Sequence, residues 1–151
     1  MLSKSAQYAL RIMAHFALNQ GKSPLRANDI AEEVNIPTFY LSKILRRMVA
    51  AELLVASKGH GGGFSIAKPP SKIKFCHVLE AVDESTTDRK CVFGWDVCSD
   101  KHPCILHNRW REVSSSFEKW ARETTLADVQ NDVKKLRILN QNAPLKEKIK
   151  L

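Results

Sequence analysis

Long apolar runs are missing from this 151-residue sequence, and a membrane-spanning helix needs about 20 consecutive apolar residues. The opening stretch MLSKSAQYALRIMAHFAL is broken by Lys4, Gln7, Arg11 and His15, which predicts neither a signal peptide nor a membrane anchor. Low-complexity tracts and internal repeats are missing too. Acidic residues are scarce at one end: residues 1–74 carry eleven Lys/Arg against four Asp/Glu, and residues 75–151 carry thirteen against twelve. A positive excess confined to one half points to a polyanionic partner. With no export signal, a soluble cytoplasmic protein is expected. In that reducing compartment the four cysteines are expected as thiols or metal ligands, not disulfides.

What is present reads as a globular chain, with 44% hydrophobic and 26% charged residues. Ser3 suits the cap of a helix carrying Tyr8, Ala9, Ile12, Met13, Phe16 and Ala17 at helical spacing, with Gln20-Gly21 ending it. Ala27 to Val34 reads as a short helix with Ile30, Ala31 and Val34 inward. Asn35-Ile36-Pro37 is a turn, because Pro37 disfavours a helical Ile36. Thr38 is then expected to cap a third helix, FYLSKILRRMVAAELL. Its buried face is Leu41, Ile44, Leu45 and Met48, which leaves Phe39, Ser42, Lys43, Arg46 and Arg47 outward. Leu54–Ala56 and Phe64–Ala67 flank Lys58-Gly59-His60-Gly61-Gly62-Gly63 as a hairpin. Helix, short helix, turn, helix, hairpin is the order of a winged helix-turn-helix.

Beyond Pro69-Pro70, KFCHVLEAVDES predicts a short helix with Val78, Leu79 and Val82 inward and Cys76 as a small core residue. Residues 84–103 have no period. Leu106, Trp110, Val113, Phe117 and Trp120 then recur at 4, 3, 4 and 3, the seam of a helix that packs on a partner helix. The simplest partner is a second copy of the chain. LADVQNDVKKLRIL predicts a last helix after Thr124-Thr125, and the tail from 141 onward is expected to fray.

A helix in the major groove reads base edges while phosphate contacts fix its register. On the third helix Thr38 and Ser42 are short hydrogen-bonders, and Lys43, Arg46 and Arg47 suit guanine edges or phosphates. Phe39 and Tyr40 suit a thymine methyl or a sugar. The glycine triplet of the wing is expected to leave room for the nucleic-acid backbone, with Lys58 and His60 near the minor groove.

Three cysteines and two histidines fall within CVFGWDVCSDKHPCILH, spaced Cys91-x6-Cys98-x5-Cys104-x2-His107. The first two gaps are too long for CxxC zinc knuckles. They suit an open loop around something larger than one ion. Pro103 is expected to start the dimer helix with Cys104 in its first turn, and Trp95 and Phe93 to shield the site. An iron–sulfur cluster, a structural zinc on the same Cys3His set, and a redox thiol pair all stay open on the residues alone.

The stretches MLSKSAQYALRIM, IPTFYLSKILRRM, SKGHGGGFSIAKP, VLEAVDES, the three cysteines, the CxxH at Cys104 and His107, and TTLADV together resemble the Rrf-type (IscR/NsrR/RirA-like) bacterial regulators over nearly the whole chain. The resemblance implies a mainly α fold with a small β-hairpin wing: a winged helix-turn-helix DNA-binding domain plus a long dimerisation helix. It implies a homodimeric transcription regulator on a pseudo-palindromic operator, not an enzyme, which senses iron, redox state, cluster supply or nitric oxide. Cys91, Cys98, Cys104 and His107 would hold the cluster, 2Fe–2S favoured and 4Fe–4S possible, with a zinc-stabilised module as the alternative. Residues 1–83 would bind DNA, 84–104 form the cluster loop, 105–140 dimerise and 141–151 form the tail. The chain departs from the family in the longer first gap, in Gln7 where some members place an aspartate ligand, in Lys58 where arginine is frequent, and in Ser42-Lys43 where an acidic reader stands. His102 competes with His107 as fourth ligand.

Overall fold

The computed structural model describes residues 2–84, 91–94 and 98–139, with 133–139 as backbone only. Ser3 starts the first helix, α1 (Lys4–Leu18), as expected: its hydroxyl accepts from the Ala6 N–H at 3.1 Å. Ala6, Ala9, Ile12, Met13 and Phe16 make one buried stripe along it. Each large member contributes about 1.5–3 kcal/mol of burial. Asn19 closes the helix, its side-chain amide donating to the His15 carbonyl at 2.9 Å.

Next come α2 (Ala27–Val34) and α3 (Thr38–Ala50). The four residues expected on the inner face of α3 are all buried. Thr38 is not the cap. Pro37 takes that position in an extended conformation with no side-chain acceptor, and Thr38 is already helical. Nor does α3 run on to Leu54. Glu52 turns left-handed at φ 56°, and the Leu53 N–H bonds back to the Met48 carbonyl at 2.9 Å, which closes a Schellman motif. Leu53 is thereby driven into the core and Leu54 is freed to start a strand. Asn35 ends α2 in the same way, and Asp83 ends α4 (Phe75–Glu80). Three αL positions carry side chains where glycine costs least.

The wing is an antiparallel pair, β1 (Leu54–Ser57) and β2 (Gly63–Ile66), with Leu54 opposite Ile66 and Ser57 opposite Gly63. Leu25 adds a third edge, exchanging backbone bonds of 2.9 and 2.8 Å with Phe64. This edge corrects the role expected of the glycines. A Cβ on Gly63 would lie 2.4 Å from the Leu25 carbonyl oxygen, and one on Gly62 would lie 2.4 Å from that of Ser57. Both are required by the chain's own backbone, and only Gly61 of the triplet faces open space.

In the second half, α4 buries Cys76, Val78 and Leu79, the cysteine as a core residue. After the cysteine stretch come α5 (His107–Glu123) and α6 (Leu126–Leu139). Thr125 and Asp128 form a reciprocal cap at the start of α6. The Thr125 N–H donates to Asp128 Oδ2 at 2.8 Å, and the Asp128 N–H to Thr125 Oγ1 at 3.3 Å. The entry to α6 is pinned to the segment before α4 by Leu126 N–H to Ile73 O and Phe75 N–H to Thr124 O. Gln130 donates to the Ala17 carbonyl at 2.5 Å and so ties α6 to the end of α1. The whole is mainly α with a hairpin wing, a winged helix-turn-helix. The tail 141–151 lies outside the described residues.

Gly63→Ala should lower stability by about 1–3 kcal/mol, as overpacking does, while Gly21→Ala, with open space beside it, should change it by less than about 0.5 kcal/mol; urea midpoints check both. A pH dependence follows from His15. Burial pushes its pKa below the ordinary 6.5, outweighing the upward pull of Glu33. The unfolded chain therefore binds more protons there, and stability present above pH 6.5 is lost as pH falls below it. His15→Gln should make the urea midpoint less sensitive between about pH 7.5 and 5.5.

Candidate nucleic-acid interface and cysteine site

The apolar face of α3 fixes what its other face can offer. Thr38, Phe39, Tyr40, Lys43 and Arg46 are exposed, and Ser42 and Arg47 are half-buried. Phe39 keeps 78% of its surface in solvent, an unusual exposure for a large apolar ring. Tyr40 stacks edge-on against both Phe39 and Tyr8 of α1, at 5.8 and 6.0 Å between ring centres. Lys4 and Arg11 stand 5.9 and 5.8 Å from the Tyr8 ring. Sequence reasoning missed these α1 residues. Their spacing of four and three puts them on one helix face, opposite the buried stripe. Arg47 is engaged within the chain, donating to Asp83 Oδ2 at 2.6 Å. Lys58 and His60 are exposed at the wing tip.

The cysteine stretch has a different logic. Cys91, Cys98 and Cys104 are half-buried free thiols. The Gly94 N–H closes a turn onto the Cys91 carbonyl at 2.9 Å, and the His107 N–H one onto that of Cys104 at 3.0 Å. Cys104 thus precedes α5 instead of lying in its first turn. The helix begins only at His107, because residues 105 and 106 are spent on this tighter turn. His107 is 5% exposed. Its Nδ1 stands 3.2 Å from Cys98 Sγ and its Nε2 2.8 Å from Asp100 Oδ1. Arg111 donates to that same carboxylate oxygen at 2.9 Å.

A sulfur and a nitrogen bound to one tetrahedral metal lie about 3.5 Å apart, given bonds of about 2.3 and 2.0 Å. Cys98 and His107, 3.2 Å apart, stand near the separation of one edge of such a site, and soft thiolates with imidazole are the donors that zinc and iron–sulfur clusters take. Among the described residues no three His, Cys, Asp or Glu side chains gather as a metal-holding group, so Cys91 and Cys104 would have to close onto this edge. His102 is exposed and Phe93 is 48% exposed, while Trp95 lies outside the described residues.

The helical seam divides in two. Towards its end, Phe117 and Trp120 lie ring to ring at 5.5 Å, Trp120 meets Phe75 of α4 edge-on at 5.2 Å, and Ala121 is fully buried. Towards its start, Trp110 is half-buried, while Leu106 and Val113 are exposed along with Ile105 at 93%. Ile105, outside the 4-3 spacing, was not visible from periodicity.

The family model for Rrf2, an iron-dependent transcriptional regulator, matches residues 2–132. The transcriptional regulator IscR of Vibrio atlanticus is 32% identical over 137 residues, covering 91% of this chain and 79% of its own. IscR of Yersinia pseudotuberculosis is 30% identical, covering 87% and 79%. Among solved structures, T. potens IscR superposes with a TM-score of 0.73 at 21% identity over 91% of this chain and 90% of its own. CymR, the global cysteine regulator of B. subtilis, gives 0.71 at 22% over 85% and 95%. At those identities the two structures speak for the fold. Among the described residues no helix is long and apolar enough to cross a membrane.

The two kinds of cysteine should separate on mutation. Cys76→Ser, which buries a hydroxyl in the core, should cost about 1–3 kcal/mol. Cys98→Ala, at a half-buried thiol whose loss takes one partner from His107 Nδ1, should cost the metal-free protein no more than about 1 kcal/mol, as read by urea unfolding.

Proposed function

The chain belongs to the Rrf2 family of transcriptional regulators, DNA-binding proteins and not enzymes, and from that premise we propose that it acts as a homodimer whose grip on DNA is set by an iron–sulfur cluster. Cys91, Cys98, Cys104 and His107 are its ligands in this reading. The observation that carries it is the 3.2 Å approach of Cys98 Sγ to a buried His107 at the start of α5. His107, the first residue of α5, is only 5% exposed, and its ring lies between the Cys98 thiol and the Asp100 carboxylate. When bound, the cluster supplies a bond network that redox state, iron supply or nitric oxide can break.

The chain's own residues do the rest. Thr38, Ser42, Lys43, Arg46 and Arg47 of α3 meet bases and phosphates in the major groove, with Phe39 and Tyr40 against sugars or methyls. Lys58 and His60 of the wing reach the flanking backbone. Leu106, Trp110 and Val113, with the outer edges of Phe117 and Trp120, meet the same stripe of a second copy. A dimer presents two copies of α3 to half-sites about one helical turn apart, which makes the operator pseudo-palindromic. The proposed roles follow the chain: 1–83 for DNA, 84–104 for the cluster, 105–140 for the dimer.

Protein purified without oxygen should be coloured and hold iron and acid-labile sulfide in equal amounts. A colourless protein with one zinc per chain would favour the same donors as a structural site and remove the sensing role. Arg46→Ala should weaken operator binding by about ten-fold or more and lower its salt dependence, leaving the iron content unchanged.

A further inference from the structure

Arg111 lies four residues after His107, on the same face of α5, and both reach one oxygen of Asp100, at 2.9 and 2.8 Å. The exposures are unequal. The His107 side chain is 6% exposed, Arg111 45% and Asp100 65%. Burial therefore does not account for the carboxylate's position; it reaches the ring nitrogen that Cys98 does not approach. A neutral imidazole has one N–H and one lone pair. A carboxylate oxygen that receives the Arg111 donor accepts from Nε2–H, which leaves the lone pair on Nδ1, the atom 3.2 Å from Cys98 Sγ.

We infer that Asp100, held in place by Arg111, is the positioning residue that presents His107 Nδ1 as a metal ligand beside Cys98. The inference rests on the cluster reading of this site and assigns two residues outside the four ligands. It also explains why His107, and not the exposed His102, serves: only His107 has its orientation fixed from behind. Metal-bound histidines ordinarily donate their second N–H to such a partner, and its loss costs about 10–100-fold in metal affinity.

The test is an anaerobic Co(II) titration of the full chain freed of cluster, followed by thiolate-to-cobalt and ligand-field absorption with a competing chelator. Asp100→Ala should weaken Co(II) binding by about 10–100-fold without altering the far-ultraviolet circular dichroism. Asp100→Asn retains an acceptor oxygen, which the two facing donors orient inward, and should recover most of the loss. Equal affinity of Asp100→Ala and wild type overturns the inference. So does an equal loss in the Asn and Ala variants, because a positioning acceptor would then make no difference. Should Asp100→Ala not fold, Arg111→Ala decides: a several-fold weaker affinity supports the role and an unchanged one overturns it. A wild-type chain without cobalt–thiolate bands would overturn the cluster reading itself, a result distinct from a bound wild type with unaffected variants.

Discussion

Both ends of the cysteine stretch are fastened to one hydrophobic core, and that constraint governs the rest. At the near end, Val78, Leu79 and Val82 bury α4 against α1. At the far end, Phe117 and Ala121 bury α5 against α4. The described residues 91–94 and 98–106 thus lie in the sequence between two anchored helices. Close-packed cores transmit displacement instead of absorbing it. In the proposed reading, a change in how the cysteines are held acts on the relative placement of α4 and α5.

In the same reading, Asp83 gives such a displacement a route to α3. It ends α4 in a left-handed conformation, eight residues before Cys91, and its carboxylate holds Arg47 of α3 at 2.6 Å. Both partners are substantially exposed, so the pair itself contributes little to stability, on the order of 0.2–1 kcal/mol. Its consequence is geometric. In the proposed reading Arg47 either stays with Asp83 or turns to a phosphate, and the position of the end of α4 biases that choice.

Most of the architecture was legible because its signals are local and periodic. The α3 stripe, the bounds of α2 and α6, the wing and the burial of Cys76 all follow from spacing and turn chemistry. The misses share a cause. Glu52 and Asp83 take left-handed caps that no glycine announces, so α3 reads as longer than it is. The demand for Gly63 comes from Leu25, distant in sequence. At the cysteine site, four ligand candidates were visible as residue types and Asp100 was not. An aspartate in a polar loop has no pattern until the fold sets it against His107 and Arg111. On the DNA side, Tyr8 was read as part of the core stripe, and only the packing of α1 beside α3 sets it against Tyr40.

The most direct test of the central claim is the affinity of the protein for a duplex selected from random DNA, measured by fluorescence anisotropy before and after the proposed cluster is removed. The account predicts about a ten-fold or larger difference between the two forms, corresponding to about 1.4 kcal/mol of coupling, and no such difference in Cys98→Ala treated identically. Equal affinities of the loaded and emptied wild-type protein would contradict it.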